Sequence, residues 1–121
     1  MQDSLATGIT NDATYEVTAD MSPPHLSVGV LGTPFMIMLM EQTCLLAAQP
    51  HLDENETTVG VHVCVSHVAA AAVGEEVTVH GELTERDRRK LRFQVEARCG
   101  DRVLGEGTHD RMVIDTTRFG S

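Results

Sequence analysis

Thr33-Pro34-Phe35-Met36-Ile37-Met38-Leu39-Met40-Glu41-Gln42-Thr43-Cys44-Leu45-Leu46-Ala47-Ala48 is an almost unbroken apolar run that contains one full charge. Thr33 suits an N-cap, Pro34 suits the first helical position, where a missing N–H costs nothing, and Pro50 marks an end. The stretch therefore predicts one helix. Apolar residues occupy nearly every side of it, the pattern of a helix surrounded by protein rather than laid on a surface. Glu41 is the only full charge between Asp20 and Asp53. A carboxylate in such a setting is paired, neutral or poised for proton chemistry, because burying it without partners costs several kcal/mol or raises its pKa.

Upstream of the helix, residues 1–12 are polar and read as a flexible end, and Ala13-Thr14-Tyr15-Glu16-Val17-Thr18 alternates as a short strand does. Met21-Ser22-Pro23-Pro24-His25 breaks it, and Leu26 to Gly32 is an uncharged loop leading to the helix. Downstream, Val59, Val61, Val63 and Val65 alternate with Gly60, His62, Cys64 and Ser66, a half-buried strand with its odd-numbered side toward the core. His67 shares that parity and points to the helix side unless a bulge intervenes. Glu76 to Leu83 and Leu91 to Ala97 alternate again around a charged hairpin, Glu85 to Lys90, and Val103 to Ile114 supplies the last strand after a Gly100-Asp101 turn.

The order is one strand, a buried helix, then four strands on short connections. It predicts an α+β domain over residues 1–121, a five-stranded antiparallel meander wrapped around one central helix. That arrangement is the hot-dog fold, and exposure of the helix at one edge would favour a dimer.

Net charge is −9, and its placement is uneven. The first 85 residues hold twelve acids and no Lys or Arg, whereas the last 36 hold nine bases and six acids. So acidic a chain argues against nucleic acid as a partner. A small anionic ligand fits only if the C-terminal third contributes to its site. Cys44, Cys64 and Cys99 are odd in number and widely spaced, which favours a reducing compartment and a cytoplasmic location. Residues 34–48 are too short to span a bilayer, and the N-terminus has no signal-like pattern, so no membrane partner is expected.

The chemistry centres on Thr33, Glu41 and His67. A hydroxyl at a helix start lies beside unpaired N–H groups that stabilise developing negative charge. Glu41 follows eight residues later, about 12 Å along the axis at 1.5 Å per residue, so backbone geometry alone does not bring it to Thr33. His67 reaches the same region if its strand covers the helix. A hydroxyl, a carboxylate and an imidazole together form an acyl-transfer set. Each has a plainer reading, because a Thr cap is structural in most helices and a core-facing His is usually only hydrogen-bonded. His62, Cys64 and His109 suggest a metal site at first glance, but their spacing matches no compact zinc pattern and no metal is expected.

The segment Gly32-Thr33-Pro34-Phe35-Met36-Ile37-Met38-Leu39-Met40-Glu41, followed by Gly60-Val61-His62-Val63-Cys64-Val65-Ser66-His67 and Gly107-Thr108-His109-Asp110-Arg111, resembles the fluoroacetyl-CoA thioesterase family of hot-dog proteins, from about Pro23 to Phe119. The resemblance implies that Thr33, Glu41 and His67 correspond to that family's catalytic Thr, Glu and His, with Gly60 a backbone contributor beside the thioester. It also implies a homodimer and an acyl-CoA substrate bound near the subunit boundary, coenzyme A being part of the substrate and no separate cofactor being needed. Arg111, which lies in the resembling motif, is the preferred candidate for the coenzyme A phosphates. The fluoroacetyl-specific enzyme carries phenylalanines in a lid ahead of the helix, and Leu26-Ser27-Val28-Gly29-Val30-Leu31 has none.

Two other functions share these residues. A hot-dog hydratase or dehydratase also needs a His and an acid, but acts on an enoyl or hydroxyacyl thioester. A non-catalytic binding protein for an acyl thioester or small ligand keeps the pocket and tolerates loss of Thr33 or Glu41.

Overall fold

The computed structural model describes residues 1–118; Phe119, where the resembling stretch ends, lies outside them. Five strands, β1 (Thr10–Glu16), β2 (Glu56–His67), β3 (Glu76–Asp87), β4 (Lys90–Cys99) and β5 (Arg102–Asp115), surround one α-helix, α1 (Thr33–Ala48). All pairings are antiparallel, in the order β1-β3-β4-β5-β2. This is the hot-dog fold, a sheet curled over a single helix. No helix among the described residues is long and apolar enough to cross a membrane.

The strand order corrects the expected meander. Two-residue turns at 88–89 and 100–101 force β3, β4 and β5 to be hairpin neighbours. The connection from β2 to β3 is longer, and it lets β2 cross to the far edge beside β5. That connection is tied down by a bridge between Val30 and Ala72 and by Leu31 N–H donating to Ala71 O at 2.8 Å.

The N-terminal stretch also differs from expectation. β1 begins at Thr10 rather than Ala13, and the residues before it lie along β3 instead of fraying. Gly8 N–H donates to Leu83 O, Leu83 N–H to Ile9 O, and the Arg86 guanidinium to Leu5 O at 2.6 Å. Leu5 is buried to 1% exposure, so one apolar side chain anchors an otherwise polar segment.

β3 and β4 follow their pattern: Val77, Val79 and Leu83, then Leu91, Phe93, Val95 and Ala97, are buried. They cover the helix face carrying Met36, Met40, Cys44 and Ala47. Burial pushes the Cys44 thiol up to about 12, which keeps it an uncharged core residue. Tyr15 Oη bonds Thr43 Oγ1 at 3.1 Å, and Asn11 Nδ2 donates to Thr43 O, fixing β1 to the same helix. The helix is nevertheless covered on one side only. Met38 and Leu46 stand 48% and 47% exposed, with Pro34 and Gln42 in the same row.

In β2 the parity changes partway along. The register against β5 shifts between Gly60 and His62, so Val61 is the extra residue of a bulge. Before it the even side faces the helix, and Thr58 is buried; after it the odd side does, through Val65 to His67. The expected odd-inward pattern therefore holds only for the second half.

Strand β5 lies unusually close to β2 at Gly107, where a Cβ would stand 2.1 Å from Cys64 O. Gly107→Ala forces backbone apart and should cost about 3 kcal/mol, as severe overpacking does. A fall in the urea midpoint at unchanged slope checks this.

Candidate active site

The loop before α1 is held from both sides, by Gly32 N–H to Met21 O and Leu31 N–H to Ala71 O, each 2.8 Å. Gly32, not Thr33, is the N-cap; its backbone is extended and no side chain caps the helix. Thr33 is the first helical residue, followed by Pro34. Its hydroxyl meets His67, with Thr33 Oγ1 2.8 Å from His67 Nδ1. When the hydroxyl donates, Nδ1 is the acceptor and the ring proton sits on Nε2.

The helix start offers fewer free donors than expected. Pro34 has no N–H, while the N–H groups of Phe35 and Met36 both close on Gly32 O at 3.1 and 3.0 Å. The helix dipole remains directed at Thr33.

Glu41 lies elsewhere, two turns down α1. Its carboxylate is 3.9 Å from Arg111 Nη1, and its side chain is 41% exposed. Glu41 is thus a half-open carboxylate beside a cation rather than a buried lone charge. The Gly60 backbone runs directly against it, since a Cβ at Gly60 would stand 2.7 Å from Glu41 Oε2 and 3.1 Å from the His109 ring. Only a glycine admits both groups at that point. Within one chain the structure joins Thr33 to His67, and Glu41 to Gly60 and Arg111, as two clusters.

Arg111 is buried and heavily engaged. Nε donates to Thr58 Oγ1 at 2.7 Å, Nη2 to Thr58 O at 2.9 Å, and Nη1 lies 3.1 Å from His109 Nε2. His109 Nδ1 lies 2.8 Å from His62 O, an atom that can only accept. Nδ1 therefore carries the proton, and Nε2 is free to accept from Arg111. Burial holds His109 below the usual imidazole range, with Arg111 adding to the effect, which matches this neutral tautomer. Burial likewise lowers Arg111, and the Glu41 carboxylate opposes it.

Thr58 and His109 were not among the residues singled out for the acyl-transfer site. A polar residue opening a valine-rich strand, and a His two places before Arg111 on one strand face, are the signals that point to them. His62 and His109 have side chains on opposite faces of the sheet, and among the described residues no group of three or more His, Cys, Asp or Glu side chains could hold a metal. Much of the basic cluster is occupied in ion pairs. Asp110, buried on the outer sheet face, takes Arg92 at 2.8 Å and Lys90 at 3.6 Å, and Glu56 takes Arg89 at 3.5 Å.

The ends of these clusters open to solvent through two grooves. One, of about 370 Å³, runs past Thr33 and His67 between Leu26 and Ala70; the other is bounded by Met38, Glu41, Gln42, Leu45 and Arg111.

The sequence model of the fluoroacetyl-CoA-specific thioesterase family, FlK, matches residues 10–117. The fluoroacetyl-CoA thioesterase of Streptantibioticus cattleyicolor is 41% identical over 90 residues, 74% of this chain and 65% of that protein's length. Among solved structures, the fluoroacetyl-CoA thioesterase FlK superposes with a TM-score of 0.90 at 32% identity, covering 97% of this chain and 93% of the other. A Thermus thermophilus member of the thioesterase superfamily gives 0.87 at 22% identity, over 94% and 87%, a likeness of fold alone. With a match over most of its length and these relatives, the chain belongs to the fluoroacetyl-CoA-specific thioesterase family.

Proposed function

We propose that the protein hydrolyses acyl-CoA thioesters as a cytoplasmic homodimer, with Thr33 as nucleophile, His67 as the base that activates it, and Glu41 serving the site of the opposite subunit. The observation that carries this reading is the 2.8 Å contact between Thr33 Oγ1 and His67 Nδ1 at the mouth of a groove. His67 accepts the hydroxyl proton as Thr33 Oγ1 bonds to the thioester carbon, the C–S bond breaks, and the thiolate takes that proton from His67. Water then attacks the acyl-Thr33 ester and gives a proton to Glu41 of the partner subunit; the C–Oγ1 bond breaks as Thr33 Oγ1 takes that proton, and the carboxylic acid leaves. Three free thiols accord with the reducing compartment.

Two features support the dimer. The uncovered row of α1, Met38 and Leu46, and the sheet-edge strand β2 with Val61 51% exposed form apolar surface of the kind partners cover. In the proposed dimer a two-fold axis would cross α1 near Ile37, midway between Thr33 and Glu41, setting the helices antiparallel and each Glu41 opposite the other subunit's Thr33. The two clusters separated within one chain then meet twice in the dimer. In this scheme Arg111 and the Gly60 backbone hold Glu41 and line the acyl end of the site, and His109, through Nε2, fixes the guanidinium.

Thr33→Ala, Glu41→Gln and His67→Ala should each lower thiol release from acyl-CoA by at least about a hundredfold with circular dichroism unchanged. Turnover unaltered in any two removes the triad. Mixing refolded Thr33→Ala and Glu41→Gln subunits should restore about a quarter of wild-type turnover, because half of the dimers then contain one complete site. No recovery places Glu41 in the site of its own subunit. His109→Asn, which keeps the bond to His62 but cannot reach Arg111, should lower kcat about tenfold with KM little changed, and His109→Gln should recover most of it.

A further inference from the structure

Arg111 and Glu41 form an ion pair that stops short of contact. Arg111 Nη1 stands 3.9 Å from Glu41 Oε2, beyond the reach of a hydrogen bond. Among the described residues no hydrogen-bond donor reaches the Glu41 carboxylate at all. Yet the two groups line one groove, and an arginine fork beside a carboxylate gains most from two parallel N–H···O bonds.

The reason lies behind the guanidinium. Nε and Nη2 form one edge of its plane, the edge with which arginine grips a carboxylate side-on. Thr58 occupies that edge, its Oγ1 accepting from Nε at 2.7 Å and its backbone oxygen from Nη2 at 2.9 Å. Only Nη1 is left toward Glu41, and it is shared with His109 Nε2 at 3.1 Å. Resting on the reading of Glu41 as the group that takes a proton from water, we propose that Thr58 is a positioning residue. Its two bonds hold the Arg111 guanidinium off the Glu41 carboxylate and leave the carboxylate oxygens open to that water.

The separation decides what kind of help the cation gives. At 3.9 Å Arg111 still favours negative charge on Glu41 without occupying its lone pairs, whereas a hydrogen-bonded fork would take those lone pairs and make a weaker base. Thr58 is 3% exposed and Arg111 5%, so removal of the hydroxyl leaves a buried N–H without an acceptor. Glu41 is the carboxylate within reach. The titratable groups facing Glu41 are Arg111 and His109 on β5 and Cys44 on α1, with the partner's His67 across the proposed boundary. Arg111 stays charged, while Cys44 and His109 stay neutral, both through burial.

The test measures kcat and KM by free-thiol release across about pH 5 to 9. The substrate is whichever of acetyl-, fluoroacetyl- and butyryl-CoA the wild type turns over fastest. Thr58→Val should lower kcat about tenfold with KM within about twofold, and should move the acid limb of the kcat profile to lower pH, since a fork closed on Glu41 favours its ionised form. Thr58→Ser, which returns the acceptor, should restore both to within about twofold. In a Glu41→Gln background, Thr58→Val should change kcat by less than about twofold, because the restraint acts through Glu41. A crystal structure of Thr58→Val should show Arg111 closed on Glu41 at about 3 Å. Should Thr58→Val not fold, Thr58→Cys, a weak acceptor of similar size, takes its place. Equal losses in both backgrounds, an acid limb that stays in place, or an unchanged separation overturns the assignment while the hydrolase reading stands. If no thioester releases thiol, or Glu41→Gln costs nothing, that reading of Glu41 falls and the crystal structure decides the restraint alone: a closed pair upholds it, and a pair still apart overturns it.

Discussion

The apolar face of α1 has to be covered, and nearly every other feature of the fold follows from how the sheet covers it. Met36, Met40, Cys44 and Ala47 have no other shelter, so β3 and β4 present unbroken apolar stripes toward them. β2 comes last in the sheet and meets the helix near its start, where His67 bonds Thr33, and near its middle, where Gly60 adjoins Glu41. A bulge of one residue, Val61, lets both contacts occur on the same strand. Without it, Gly60 and His67, an odd number of positions apart, would face opposite sides of the sheet. The site is therefore a consequence of where a strand breaks its alternation.

Much of the architecture was legible in the residues because it rests on local rules. Pro34 and Pro50 bracket the helix, and valine alternation marks the strands. What was not legible was set by distant contacts. The crossing of β2 to the sheet edge depends on which strands the two-residue turns leave available, and the ordered N-terminus depends on Leu5 finding space beside β3. The strand parity of β2 could be read only up to the bulge, since an extra residue leaves no mark in a valine-rich pattern.

The same division runs through the site. The types and spacing of Thr33, Glu41 and His67 were visible, and the Thr33–His67 contact joins two of them. Of the states open to Glu41 the structure has the paired one, but an apolar stretch does not mark which row of the helix stays uncovered. One row of that helix is bare, and Glu41 stands at its margin beside Arg111. Arg111 is expected at the coenzyme A phosphates, whereas Thr58 and His109 hold its guanidinium inside. Those two residues lie on neighbouring strands, and only the register of β2 against β5 brings them together.

The one-residue offset between the helix cap and Thr33 has a meaning for stability and reactivity together. A Thr at the cap position would spend its hydroxyl on a backbone N–H, a bond that orients the oxygen toward the helix and lowers its availability to a base. Placing glycine at the cap forgoes only a few tenths of a kcal/mol relative to such a side chain. In return the hydroxyl one position later is held by no group of its own helix, at the positive end of the dipole. A more stable helix start and a reactive alcohol are competing uses of the same atom, and this chain separates them by moving the cap back one residue.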